Sequence, residues 1–237
     1  NIFTTAVSGN ALDSSGNSRD GTFPHGDGAR PTFSSTLGPS DFIQTGSANF
    51  DGGGSSVDTG IDIGTAATWD AIIGNDTVNG STEKFTIAAW IYKVGDGENN
   101  FGRIIDFGSS DIGLYTNLLD EIRLIVKRTI GATTAEVQWS STGTDIGLNK
   151  WVHLAISYDA TDADADPQFY INGSPTAATL TAGTKGGTYY GIVSQDCIIG
   201  NRSNSGAFDR TWDGNLADVA IWNTVLTDED VAAVYNA

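Results

Sequence analysis

Residues 11–22, ALDSSGNSRDGT, place side-chain oxygen donors at Asp13, Ser15, Asn17 and Asp20 within one irregular stretch. Gly16 and Gly21 let the backbone curl so that carbonyl groups can join them, and a hard cation such as Ca2+ needs that many oxygens. Asp13, Asn17 and Asp20 are therefore candidate metal ligands, with an ordinary turn built on Asp13 as the alternative. A second set of side chains suits a sugar. Trp69 in AATWDA, Tyr115 in LYTN, Tyr189 and Tyr190 in GGTYYG, and Trp212 in DRTWDG stand beside polar residues. A sugar ring has one apolar face and a hydroxyl edge, which a flat aromatic face and nearby Asp or Asn complement. A loop aromatic can equally turn inward as an anchor. Trp212 carries the strongest expectation of exposure, because Asp209, Arg210 and Asp213 surround it.

Other chemistry is weaker. The run Asp162 to Asp166, DADAD, resembles an alternating carboxylate loop, but Pro167 cuts it and Gly173 stands where a bidentate Glu would close an EF-hand. It reads as an exposed loop between two strands. Cys197 is the only cysteine, so no internal disulfide forms, and DCIIG reads as a strand with a small buried hydrophobe. His25 lies in a Gly-rich stretch and reads as a turn residue. His153 alternates with Val152 and Leu154 and is expected on the less buried face of its strand. There is no Gly-x-Ser-x-Gly, His-Glu-x-x-His or phosphate loop.

The elements that must position these residues are mostly strands. Residues 85–91, 104–107, 122–126, 135–139, 152–158, 168–171, 196–199 and 216–222 are short runs rich in β-branched and aromatic residues, ended by Gly, Asn or Asp. Phe85, Ile87, Ala89 and Ile91 point one way and Thr86, Ala88 and Trp90 the other, so both faces are apolar, as in a central strand. At the end, Thr227 is placed to cap a helix from Asp228, with Asp230 completing a capping box and Val231, Val234 and Tyr235 on one face. The 30 glycines fit many tight turns, and 237 residues fit one large β-sandwich. No apolar run reaches the roughly 18 residues of a membrane span. The absence of Met is expected of a processed product or a piece of a longer chain. A formal net charge of −17 argues against nucleic acid and anionic membrane surfaces, and bound Ca2+ would ease its self-repulsion.

Four stretches in this order resemble laminin-G-like domains of the concanavalin A-like superfamily: residues 46–63, GSANFDGGGSSVDTGIDI; residues 85–94, FTIAAWIYKV; residues 151–173, WVHLAISYDATDADADPQFYING; and residues 213–237, DGNLADVAIWNTVLTDEDVAAVYNA. The resemblance implies an all-β fold, a two-sheet antiparallel jelly-roll sandwich with a short C-terminal helix, formed by residues 1–237 as one domain. It also implies a structural Ca2+ held by Asp13 and by Asp218 of the last strand, with Asp20 at a position the family usually fills with His. A buried strand carboxylate needs a partner in any case, which backbone N–H groups could also supply. Glucanases share this sandwich, but their Glu-x-Asp-x-x-Glu strand motif is absent, so no catalytic residues are expected. The expected function is a non-catalytic carbohydrate-binding or adhesion module, Ca2+-stabilised, at a cell or virion surface or otherwise extracellular, with a glycan or cell-surface polysaccharide as partner. The alternative is a structural virion or cell-surface domain that contacts other subunits.

Overall fold

Alternation of β-branched and aromatic residues with small or polar ones produces strands here, and Gly, Asn and Asp end them. The computed structural model describes residues 11–23, 30–34, 38–39, 46–53, 58–74, 83–142, 146–193, 196–204 and 207–237, so His25 lies outside the described residues. The order begins β1 (Thr32–Ser34), β2 (Ser47–Asp51), β3 (Ile61–Thr65), α1 (Ala66–Ile73), β4 (Lys84–Lys93), β5 (Arg103–Phe107), β6 (Ile112–Thr116), β7 (Ile122–Ile130) and β8 (Thr133–Ser141). It continues with β9 (Trp151–Asp159), β10 (Gln168–Ile171), β11 (Ser174–Thr176), β12 (Ala178–Ala182), β13 (Thr188–Tyr189), β14 (Asp196–Ile199), β15 (Ser203–Asn204), β16 (Ala207–Phe208), β17 (Asp213–Trp222) and α2 (Asp228–Tyr235).

One sheet has the order β1-β2-β17-β4-β9-β10-β11 and the other β12-β8-β7-β6-β5-β14-β3, with β13 added against β7. Neighbours run antiparallel throughout, as in β4 with β9 and β7 with β8. This is the expected two-sheet jelly-roll sandwich. Its interior is one apolar cluster in which Phe85, Ile87 and Ile91 of β4 and Leu154 and Ile156 of β9 share the core with Phe107, Leu114, Leu124 and Trp139 of the facing sheet. Burying a side chain of this size contributes about 1.5–3 kcal/mol, so the alternation read from the sequence marks the residues that hold the sheets together. Among the described residues, no helix is long and apolar enough to cross a membrane.

The outer face of β4 and β9 is buried too, because α2 lies across it. Val231 packs with Ala88, Ala155 and Tyr170, and Tyr235 meets the Trp90 ring at 5.5 Å. The helix starts as its sequence dictates. Thr227 Oγ1 accepts from the Asp230 amide at 3.2 Å, and the Asp230 carboxylate accepts from the Thr227 amide at 3.1 Å, which completes the capping box. The approach to α2 is fastened through Thr86, whose hydroxyl donates to the Thr224 carbonyl at 2.8 Å and accepts from the Leu226 amide at 2.9 Å.

Two expectations need correction. The C-terminal helix is not the only one of note: residues 66–73, whose Trp69 is expected to be a loop aromatic, form α1 with Ala66, Trp69 and Ile73 buried. Their spacing is helical, and burial of that stripe outweighs the polar neighbours Thr68 and Asp70. His153 is not on an open face either. It is buried, with its ring 5.3 Å from Trp90 and 5.7 Å from Tyr235, because α2 covers the face the sequence left bare.

Burial lowers the His153 pKa to about 4. The unfolded chain, with a His pKa of about 6.5, therefore takes up this proton first, and stability present above that value is lost as pH falls toward 4, by up to about 3 kcal/mol. Thermal melts at pH 7 and pH 4.5 check this. His153→Phe should lose measurably less stability than the wild type over that interval, and equal losses would contradict the assignment.

Candidate functional site

The opening loop is built by its own polar side chains. Ala11 and Gly21 exchange backbone hydrogen bonds at 2.8 and 2.7 Å and close its ends, while Thr22 and Asp62 do the same at 2.6 and 2.9 Å and seat it on β3. Gly21 is required there, since a Cβ would come within 2.5 Å of Ile61 Cγ2. Inside the loop the Asp13 carboxylate accepts from the Ser15 amide at 2.8 Å, the Ser15 hydroxyl at 2.8 Å and the Arg19 amide at 3.0 Å. Asp20 accepts from the Asp13 amide at 2.9 Å, and Asn17 Nδ2 donates to Ser15 Oγ at 2.9 Å. Partial burial pushes the Asp13 carboxyl up, but the hydrogen bonds from Ser15 and Arg19 outweigh it and hold the group below the usual carboxylate range. Asp13 is thus a fixed anion near neutral pH.

This loop forms one wall of a cleft of about 450 Å³. Asp13, Ser15, Asn17 and Arg19 line that wall, Trp69 and Ile72 of α1 supply the floor, and the end of β17 from Val219 to Asn223 forms the far side. Trp69 is held from beneath by its Nε1–H, which donates to the Ile63 carbonyl at 2.9 Å, and Arg19 lies over its ring at 5.5 Å. The cleft therefore pairs an apolar base with a rim of carboxylate, amide and hydroxyl groups. Small-molecule sites have that make-up.

Asp218 stands beside it on β17. The pairing with β4 shifts between Ala217 and Ala220, and within this bulge Asp218 has φ of 47°, a left-handed conformation costly for a residue with a side chain. Among the described residues its carboxylate makes no hydrogen bond or ion pair, and burial raises its pKa. Asp218 is the cleft's neighbour rather than part of its lining, which begins at Val219. Asp13 and Asn17 are brought together as the sequence suggested, with Asp20 holding the loop behind them. Among the described residues, no three His, Cys, Asp or Glu side chains are grouped as a metal centre.

The aromatic platform expected from the sequence does not form. Trp212, Tyr189, Tyr115 and Trp69 are all buried, with Trp212 at 0% exposure, and Tyr190 is half-buried away from the cleft. The polar residues around Trp212 satisfy one another instead. Arg202 donates to both Asp209 oxygens at 2.9 and 2.6 Å, and the Thr211 amide donates to Glu98 at 3.2 Å, while the indole turns into the core. Tyr189 donates to the Ile73 carbonyl at 3.2 Å, and Tyr115 lies under the Arg103 guanidinium at 4.2 Å. Within DADAD, Asp166 accepts from Trp139 Nε1 at 2.7 Å and pairs with Lys185 at 3.1 Å, so this loop is tied to the sandwich by side-chain bonds. Cys197 is buried as expected, and its thiol pKa is raised by desolvation.

Sequence reasoning missed Arg19, Ile72, Trp222 and Asn223. The one signal for Trp222 and Asn223 was their place where the last strand meets its breaker.

Comparison with known proteins identifies the family and the fold. Residues 65–232 match the family described as the concanavalin A-like lectin/glucanases superfamily. The serum amyloid P-component of Cavia porcellus is 35% identical over 88 residues, which are 35% of this chain and 37% of that protein's own length. The binding domain of Paraclostridial Mosquitocidal Protein 1 superimposes with a TM-score of 0.59 at 15% identity, over 98% of this chain and 50% of that one. The receptor binding domain of botulinum neurotoxin C/D mosaic serotype gives 0.56 at 16% identity, over 95% of this chain and 48% of that one. At such identities the structural likeness shows the fold alone.

Because Trp212 is a core anchor, Trp212→Ala should cost roughly 3–5 kcal/mol in denaturant unfolding. A loss below about 1 kcal/mol, the range of most exposed positions, would show that the ring is exposed after all.

Proposed function

The chain belongs to the concanavalin A-like lectin/glucanases superfamily, and we propose that it is a non-catalytic carbohydrate-binding module whose ligand occupies the cleft between the opening loop, α1 and the end of β17. The observation that supports this reading is the cleft's composition. Ile72, Ile221 and Trp222 offer apolar surface, and Asp13, Ser15, Asn17 and Asn223 offer hydrogen-bonding groups at its edge. A sugar presents the complementary pair of surfaces. Family membership by itself does not choose a function, since such folds carry several. A surface setting, on a cell or virion or otherwise outside the cell, follows from a glycan or polysaccharide partner.

The same reading includes a structural Ca2+ for which Asp13, Asn17, Asp20 and Asp218 are the candidate ligands, although among the described residues the three carboxylates are not grouped as one centre. The fit rests on Asp218, a carboxylate that is half-buried, without a hydrogen-bonding partner among the described residues, and held in a strained conformation one residue before Val219 of the cleft lining. A cation there would offset the desolvation of that group. A second reading, a structural virion or cell-surface domain, draws support from an exposed apolar tip on the β6–β7 turn, where Leu118 and Leu119 are both 61% exposed.

Two experiments separate these. Calcium at 100 times its dissociation constant should stabilise the fold by about 2.7 kcal/mol, and Asp218→Asn should remove most of that gain. Identical melting in EDTA and in millimolar Ca2+ would eliminate the metal. A glycan array should yield binders whose affinity falls at least about tenfold in Asn17→Ala and Asn223→Ala, with melting in EDTA unchanged, since both residues are exposed. Binders unaffected by either change would move the site elsewhere.

A further inference from the structure

Three segments far apart in sequence meet at Lys93, the last residue of β4. Its side chain is wholly buried, and its ammonium donates to Asp96 at 2.8 Å, to the Asn117 carbonyl at 3.3 Å and to the Asp120 carboxylate. Its carbonyl accepts from the Asn149 amide at 2.7 Å. Around this anchor stand Val94, Leu118, Leu119 and Leu148, exposed by 45%, 61%, 61% and 50%. Scattered exposed apolar residues are ordinary, but these are gathered about one point.

The turn that carries the two leucines is fixed. Asn117 Oδ1 accepts from the Leu119 amide at 2.9 Å and the Glu121 amide at 3.1 Å, and Asn117 Nδ2 donates to Glu121 at 2.7 Å. Turns favour Asn, Asp and Gly at their tips, and here two leucines occupy the tip while Asn117 and Asp120 hold its base. The leucines are thus prevented from folding onto the core, which is a preorganised arrangement for contact with something else. The surroundings are acidic. Asp96 and Asp120 flank Lys93, and the Asp213 carboxyl is raised first by burial and then by Asp51 and Asp96, so these groups lie close together. Lys150, two residues beyond Leu148, adds one positive charge to that segment.

We propose that this tip is a docking surface for a partner protein that presents an apolar socket ringed by Lys and Arg. Apolar anchors at the centre and charges at the rim are the usual anatomy of such contacts. A second copy of this chain would set one acidic rim on another at a formal net charge of −17 each, and an anionic membrane would be repelled in the same way.

The test is selection of peptides from a displayed random library on the 237-residue chain, followed by binding to the Leu118→Ser/Leu119→Ser double variant. Both residues are exposed, so the variant should melt as the wild type does. Selected peptides should combine apolar residues with flanking Lys or Arg, lose at least about tenfold in affinity for the variant, and weaken in high salt. Peptides that bind the variant equally well, or that lack basic residues, would overturn the proposal. So would dimers in sedimentation that the variant abolishes, which would identify a second copy as occupant. Binding to phosphatidylcholine vesicles that depends on the leucines would overturn it as well, by identifying lipid.

Discussion

β17 pairs with β4 from Gly214 to Trp222, and Ala217 to Ala220 on β17 lie opposite Trp90 to Ala88 on β4, so β17 carries one extra residue. That insertion reverses the alternation. Ile221 falls opposite Ile87 on the inner face, and Trp222 falls opposite Thr86 on the outer face with α2. In an unbulged strand the two would exchange faces, setting a Trp into a core sized for Ile. The bulge also strains Asp218 and sets Val219 to Asn223 along the cleft. One register shift therefore positions the far wall of the site, the candidate metal carboxylate and the approach to α2.

The same acidic chain uses its cations sparingly and often inside. Arg103 and Asp106 are both buried and paired at 3.1 Å, with the Asp106 carboxylate also accepting from the Ser110 amide at 2.7 Å and the Ser110 hydroxyl at 3.0 Å. Burial raises the Asp106 carboxyl and lowers the Arg103 guanidinium, while each partner opposes the other's shift. Such pairs are weak contributors to net stability but are costly to break singly. Among the described residues, Arg128 is buried without an ion pair to a carboxylate. It donates instead to Tyr158 at 2.9 Å and to the carbonyls of Ala160, Gly186 and Gly187, which fastens the segment before β13 to the sandwich.

The strands were legible because their signal is local: Phe85 to Ile91 and Val152 to Tyr158 alternate within a few residues, and Thr227 with Asp230 spells out a helix start. The burial of His153 was not legible, since its cover is Tyr235, more than eighty residues later. Trp212 misled for a related reason. Its flanking Asp209 and Arg210 suggested solvent, but backbone bonds to Gly52 and Gly200 draw the indole inward, and the charges find partners among themselves. In α1, Thr68 and Asp70 masked the helical spacing of Ala66, Trp69 and Ile73. Of the cleft, the loop from Asp13 to Asn17 could be read locally. Its far wall could not, because the contact between that loop and residues 219–223 exists only once β17 is in its register.

Ligand entry into the cleft is what the proposed function depends on. Backbone amide resonances followed during titration with any glycan that binds test it most directly. Shifts are expected at Ser15, Asn17, Ile72 and residues 221–223, with the outer face of the other sheet unmoved. Shifts confined to Arg123, Glu136 and Gln138 on that face would contradict it and assign the sugar to the opposite side of the sandwich.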